Sequence, residues 1–337
     1  MSNHLPVGKL KAESLKTLLS KYSIIDDTVV VGPSIGEDAA VIDFGDRYLV
    51  ATTDPVTFAT DEIGWYTLHI NANDIATRGA RPKWLLATML FPEGKTTEET
   101  VEAIFSQISK ACQDLGVSLI GGHTEITSGI DRPIVVGQML GEVEKDALVS
   151  TSGAQVGDDI VLTKGIAIEA TSLLARERAD VLGVTFSQEF LERCRKFLHK
   201  PGISILRDAE IAVQVAEIHA MHDPTEGGVA MGLHETCEAA GVGLIVYREK
   251  IPVFPETVQL CRHFHLNPLG VIASGALLIC VAPEEAPRVI DALSAENITA
   301  SIIGKIVEKG FGAKMKEKGK FRNLPRFERD EIAKVFE

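Results

Sequence analysis

The chain has 337 residues, of which 45% are apolar and 24% charged, a composition that suits a globular protein with two cores rather than one. Its 47 acidic and 34 basic side chains give a formal charge of −13, which argues against nucleic acid as a partner because phosphate-backbone binding needs clustered Lys and Arg. No apolar run reaches the roughly 18 residues a membrane span requires, so no membrane partner is expected. The opening MSNHLPVGKL lacks the apolar centre of a signal peptide, which makes the cytoplasm the expected location. Cys112, Cys194, Cys237, Cys261 and Cys280 are scattered with no C-x-x-C pair, so they read as reduced packing thiols rather than a zinc site or a disulfide frame.

Leu10, Leu15, Leu18 and Leu19 recur at helical spacing and predict an amphipathic helix over 9–22, preceded by a loop, Pro6-Val7-Gly8-Lys9. Lys9 reads either as a solvated lysine at a helix start or as a lid over a bound phosphate. Short strand-like runs follow at 28–31, 39–43 and 48–53, and between the first two lies Gly36-Glu37-Asp38-Ala39-Ala40-Val41. Asp54 stands where the third run ends, with Pro55 biasing it toward extended backbone. A helix is predicted over 61–78, with Asn71 and Asp74 on one face. Polar groups buried there need partners, either a structural network or a metal.

An apolar strand from Trp84 to Phe91 precedes a helix over 96–115. A strand over 117–120 then leads into Gly121-Gly122-His123-Thr124-Glu125, where two glycines let backbone approach a ligand closely. The strand from Pro133 to Val143 closes this half, and 144–158 lack helical periodicity and read as a domain junction. We therefore expect one domain over 1–150 and a second over 151–337.

The second half opens with a strand at 159–163 and helices near 168–179, 187–198 and 204–217. Met221-His222-Asp223-Pro224-Thr225-Glu226-Gly227-Gly228 then leads a helix over 229–240. Gly227 and Gly228 are expected to leave the first amides of that helix free for an anion. Strand 243–247, helix 255–265, strand 276–282, helix 284–296 and strand 300–307 follow, and the charged tail from Phe311 ends in a helix-like stretch.

Carboxylates brought close together repel by about 4 kcal/mol per pair at an effective dielectric near 20, and stay ionised together only around a cation. Mg²⁺ takes oxygen ligands, one or two carboxylates with waters and phosphates, so acids at strand ends beside glycine turns suit a nucleotide site. G-x-x-x-x-G-K-[ST], G-x-S-x-G and H-E-x-x-H are all absent, which gives no support for a P-loop, a hydrolase nucleophile elbow or a zinc protease.

The ordered set GEDAAV, TTD, N-x-N-D, GARP, GGHTE, PGIS and D-P-T-E-G-G resembles the aminoimidazole ribonucleotide synthetase (PurM-like) superfamily from Lys9 to about Val307. That superfamily includes AIR synthetase, formylglycinamidine synthetase, thiamine-monophosphate kinase, selenophosphate synthetase and the hydrogenase-maturation protein HypE. The resemblance implies an α/β (α+β) fold of two domains, the N-terminal one pairing with its twin in a barrel-like homodimer, and ATP with Mg²⁺ in a cleft near that interface. It carries metal or phosphate roles onto Asp38, Asp54, Asp74 and Asp223, and nucleotide contacts onto Gly121, Gly122 and Thr124. His123 stands where many members have an acid, a departure that the selenophosphate synthetase branch shares in its GGHT; the alternatives are that His123 binds the metal, that Glu125 takes part instead, or that fewer metal ions are held.

The segment DPTEGGVAMGLHETCEAAGVGL looks most like HypE, although HypE proper ends in a cysteine that carries the carboxamide it dehydrates and this chain reads Lys334-Val335-Phe336-Glu337. The reading is a cytosolic ATP-dependent enzyme of phosphoryl-transfer, dehydratase or ligase type. It would act on an amide or phosphate oxygen of a small-molecule or protein acceptor, with His123 and His222 as candidate bases. The alternatives are a thiamine-monophosphate kinase-like or AIR synthetase-like small-molecule enzyme, and a nucleotide-binding maturation scaffold without turnover.

Overall fold

A computed structural model describes residues 9–336 apart from 11, 24, 25, 58 and 60, so Pro6, Val7 and Gly8 of the predicted opening loop lie outside the described residues. The first half contains α1 (Ala12–Tyr22), β1 (Val29–Val31), β2 (Ala40–Asp43), β3 (Arg47–Val56), α2 (Ile63–Thr77), β4 (Arg81–Pro92), α3 (Glu98–Leu115), β5 (Ser118–Thr127) and β6 (Ile134–Glu144). The strands form one six-stranded sheet in the order β1-β2-β3-β6-β4-β5, and of its pairs only β4 with β5 is parallel.

α2 is buried over almost its whole circumference because it packs on the sheet, on α3 and on the second half at once. α3 is a one-sided helix. It starts at Thr97, whose hydroxyl accepts from the Thr100 amide, and stops at Gly116 in the left-handed region.

The second half contains β7 (Asp159–Thr163), α4 (Ile168–Glu177), α5 (Ala179–Leu182), α6 (Gln188–Arg195), α7 (Leu206–Val215), β8 (Ile218–His222), α8 (Gly228–Ala240), β9 (Gly243–Tyr247), α9 (Pro255–His263), β10 (Leu278–Val281), α10 (Ala286–Ala295), β11 (Ala300–Val307), β12 (Ala313–Glu317), β13 (Lys320–Asn323) and α11 (Ala333–Phe336). Its seven strands run in the order β13-β12-β9-β11-β7-β10-β8. Both faces of this sheet are covered. Ile160 and Leu162 of β7 join a cluster with Val229 and Leu233 of α8, while Val161 joins Ile211, Val289 and Leu293 of α7 and α10. Four of the five cysteines are buried in these cores, all five are free, and burial pushes the Cys112 thiol up to about 11. Among the described residues no helix is long and apolar enough to cross a membrane.

Three local expectations change. β3 runs to Val56, so Asp54 lies within a strand rather than at its end. β5 runs through Gly121–Glu125, which is therefore strand and not turn. The charged tail contains a hairpin, β12 and β13, before its terminal helix.

Candidate functional site

The two halves meet around four acids. Asp38 ends the loop before β2. That loop needs Gly36, whose φ is 82° and where a Cβ would sit 2.7 Å from the Glu235 carbonyl oxygen of α8. Thr52 on β3 donates to Asp74 Oδ2 at 2.6 Å, and its hydroxyl stands 3.2 Å from the Asp38 carbonyl oxygen, tying loop, strand and α2 together. Asn71 fixes Asp54 by accepting from its amide at 2.9 Å and donating to Thr67 O. Asn73 likewise bridges to Ile203 O and Ile205 N of the second half. The helix amides are thus satisfied by backbone, and the network reading holds for them. Asp223 follows β8, whose neighbour is α2.

The acids are close enough to act on one another's charge. Burial, and then the charges of Asp54, Asp223 and Asp38, push the Asp74 carboxyl well above its ordinary range. Burial and Asp38 raise Asp223 in the same way, and burial also raises Asp54. Asp223 Oδ2 is buried with no hydrogen-bond partner. A buried, unsatisfied carboxylate oxygen beside other acids is the environment that a divalent cation relieves. Among the described residues no three His, Cys, Asp or Glu side chains form a ready metal cage. The set therefore fits Mg²⁺, which completes its shell with phosphate and water, better than a metal held entirely by protein.

Asp38 is already engaged. Its Oδ1 lies 2.8 Å from His222 Nδ1 and its Oδ2 accepts from Arg78 at 2.9 Å. Burial would raise this carboxyl, but His222 and Arg78 outweigh burial and hold it below the usual range. Of the four acids it alone is held by two cationic side chains. His222 also pairs with Glu235 at 3.1 Å. Burial alone would lower His222, yet the Asp38 and Glu235 carboxylates override it and hold the imidazole at about 10. With both ring nitrogens facing carboxylates, the imidazolium form is favoured and His222 joins the two halves as a cation, an arrangement that weighs against its serving as a base.

The motif glycines behave differently from expectation. The Gly227 amide donates to Asp330 Oδ2 at 2.7 Å, the Gly228 amide to Thr225 O at 3.0 Å and the Ala230 amide to Leu269 O at 3.0 Å. The start of α8 is therefore capped by the chain itself and offers no anion site through these groups. Gly122 is required by close strand approach, since with φ at 144° its Cβ would fall 1.9 Å from Ala87 O of β4.

Gly121, Gly122, His123 and Thr124 lie on β5, the exposed outer strand, where His123 pairs with Glu125 at 3.1 Å. β6 and β4 separate β5 from β3, a distance of about 14 Å at ordinary strand spacing. Within one chain these residues do not join the acids. Lys9 does, since its Nζ lies 2.7 Å from Glu226 Oε2 and 3.2 Å from Thr225 Oγ1 at the mouth of the cluster.

Sequence reasoning passed over several participants. Arg78, fully buried at the end of α2, donates to Glu37, Asp38 and Thr151. Glu37, the neighbour of Asp38 in the motif, also accepts from the Thr151 and Ser152 amides, so it serves as a strut between the halves. Glu169 of α4 is buried and its carboxyl is pushed up to about 8, first by burial. Only Glu37 carried a signal, its place in the motif.

The model of the AIR synthase related protein N-terminal domain matches residues 36–143, and that of the C-terminal domain matches residues 155–316. A putative hydrogenase expression/formation protein of Methanocaldococcus jannaschii is 29% identical over 306 residues, 88% of each chain. A carbamoyl dehydratase HypE of Rhizobium leguminosarum bv. viciae is 28% identical over 281 residues, covering 81% of this chain and 77% of that protein. A solved HypE–HypF complex aligns with TM-score 0.73 at 24% identity, over 87% of this chain and 94% of that one. The structure of AaThiL complexed with AMPPCP and TMP aligns with TM-score 0.73 at 19% identity, over 95% of this chain and 97% of that one. The mixed α/β architecture is the PurM-like two-domain fold. With both domain models matched in chain order, the chain belongs to the AIR synthase related family.

Proposed function

We propose that the protein is a HypE-like enzyme that binds ATP with Mg²⁺ and uses phosphoryl transfer to activate an amide or phosphate oxygen of an acceptor, as in hydrogenase maturation. The observation that carries this reading is the convergence of Asp54, Asp74 and Asp223, with Asp223 Oδ2 buried and unpartnered. These three would hold the metal, with Asp38 joining if it exchanges one of its cationic partners. When bound, Mg²⁺ neutralises phosphate charge and polarises the transferring group. Lys9 reaches the mouth of the cluster and is placed to close over phosphate. The His222 imidazolium and Arg78 keep Asp38 ionised and fixed. The relatives named carbamoyl dehydratase, and a HypE solved in complex with ATP, support this assignment.

The domain boundary is proposed near residue 150, between β6 and β7. A cytoplasmic homodimer follows from the same reading. β5 is a long exposed edge carrying Leu119, Ile120 and Ile126, an edge that ordinarily demands a partner. Pairing there would bring Gly121, Gly122, His123 and Thr124 to the nucleotide from the second copy.

The test is calorimetry of ATP with and without Mg²⁺, followed by ADP release across amide, carbamoyl and phosphate acceptors. Saturable, Mg²⁺-dependent binding with acceptor-dependent turnover is expected. Rapid phosphorylation of thiamine monophosphate would replace this reading by a kinase, for which the AaThiL complex with AMPPCP and TMP is the precedent. Binding without turnover would leave a scaffold, and no binding removes all three.

A further inference from the structure

Beside Asp54, a small cavity of about 40 Å³ is lined by residues that include Asp54, Glu169, Thr225, Glu226, Ile272 and Ser274. Glu169 is 5% exposed and Ser274 1% exposed; the Ser274 hydroxyl lies close enough to the Glu169 carboxyl to lower it, yet neither Glu169 Oε2 nor Ser274 Oγ has a partner in good hydrogen-bond geometry. Three carboxyl groups from β3, α4 and the loop before α8 thus face one space, and its far wall is apolar, built from Val56, Ala59, Ile70 and Ile272. Lys9, whose Nζ reaches the lining residues Glu226 and Thr225, is already paired with Glu226. A buried carboxyl without a partner is a cost the fold carries, commonly at a place where a ligand supplies the donor.

We propose that this cavity is the acceptor subsite, and that the acceptor enters with a small cationic nitrogen head, an ammonium or amidinium group, which donates to Glu169 and Ser274. The inference rests on the phosphoryl-transfer reading, because Asp54 lines both the cavity and the proposed phosphate site. The volume exceeds the roughly 10–15 Å³ that one water-sized probe needs, enough for a small head group. A donor head suits this lining better than a phosphate or carboxylate, because Asp54, Glu226 and Glu169 offer acceptor oxygens and a cation favours the ionised form of each.

The probe is methylammonium chloride, titrated into the full chain and followed by thermal denaturation and calorimetry, with potassium chloride and sodium acetate at equal ionic strength. Saturable stabilisation by methylammonium alone is expected. Glu169→Gln should weaken it at least tenfold. Ser274→Val, which narrows the same cavity and leaves every acid in place, should weaken it as well, so the inference stays testable if the Glu169 variant does not fold. An equal response to potassium, no saturable response, or an unchanged response in both variants overturns the subsite. Mg²⁺–ATP binding measured on the same samples separates the two readings. Nucleotide binding without methylammonium binding removes the subsite alone, and methylammonium binding without nucleotide binding removes the phosphoryl-transfer reading while leaving a cation-binding cavity.

Discussion

His222 Nδ1 lies 2.8 Å from Asp38 Oδ1, so a cation from the second half neutralises an acid from the first inside the interface between them. The folded-state pKa of His222 is raised from 6.5 to about 10, against burial, by Asp38 and then Glu235. A raised basic group contributes its stability fully below the unfolded value and loses it as pH rises through the folded one. Thermal stability should therefore fall between about pH 6.5 and about pH 10, and His222→Gln should flatten that slope and cost roughly 3–5 kcal/mol at pH 7. Equal slopes in both proteins, followed by circular dichroism, would show that the pair contributes nothing.

Asp74 should show stability and function moving in opposite directions. Its carboxyl is held up by burial and by Asp54, Asp223 and Asp38, so the unliganded fold bears a penalty for ionising it. Asp74→Asn keeps an oxygen for Thr52 to donate to and should stabilise the unliganded protein by roughly 1 kcal/mol or more at pH 7.5. The same variant, like Asp54→Asn, should weaken Mg²⁺–ATP binding by at least tenfold in calorimetry. Wild-type affinity in both would mean that the site has been misassigned.

Ligand removal gives a second handle on the same acids. Mg²⁺ with ATP at about one hundred times the dissociation constant should add about 2.7 kcal/mol to unfolding, by mass action. EDTA should remove most of that gain while leaving the unliganded melting temperature unchanged, because among the described residues no three donors form a metal cage of their own. A melting temperature that drops in EDTA without nucleotide would instead point to a resident structural metal.

β5 offers a test of the assembly. Ile120 is 53% exposed near the start of the outer strand, flanked by Leu119. If two copies pair along this edge, Ile120→Lys places like charges at their interface and should convert a dimer to a monomer in sedimentation, with nucleotide affinity falling at least tenfold because the Gly121–Thr124 stretch leaves the site. A wild-type protein that sediments as a monomer would remove the homodimer outright.

Much of this organisation is legible in the residues, and where it is not the reason is physical. β11 begins at Ala300 and ends at Val307 as its apolar run predicts, and α8 starts within one residue of its predicted position because glycines and a periodic apolar face mark it. The four acids could be picked out because short motifs fix them in order along the chain. The β12–β13 hairpin was hidden because only Met315 of Ala313–Glu317 is buried, so lysines at alternate positions read as a solvated tail. Arg78 was hidden for a related reason, since an arginine at a helix end ordinarily reaches solvent. The capping of Gly227 by Asp330 joins residues 103 positions apart, which no local pattern reveals.

Arg78 yields the most demanding test of how the halves are held. Its guanidinium is fully buried, donates to Asp38 Oδ2 at 2.9 Å and to Thr151 Oγ1 at 2.8 Å, and also pairs with Glu37. Removing one partner of a buried ionic network leaves the others charged and unpaired, which costs about 3–5 kcal/mol, whereas removing both partners of a pair costs much less. Arg78→Met should therefore destabilise severely, because Glu37 and Asp38 are both left without it. Adding Glu37→Gln should restore a measurable part of the loss, since the amide still accepts from the Thr151 or Ser152 amide without demanding a cation. The Glu37→Gln single variant should cost less than Arg78→Met. A double-mutant cycle by urea denaturation reads the coupling directly, and strict additivity of the two changes would mean that Glu37 and Arg78 stabilise the junction independently rather than as one ionic unit.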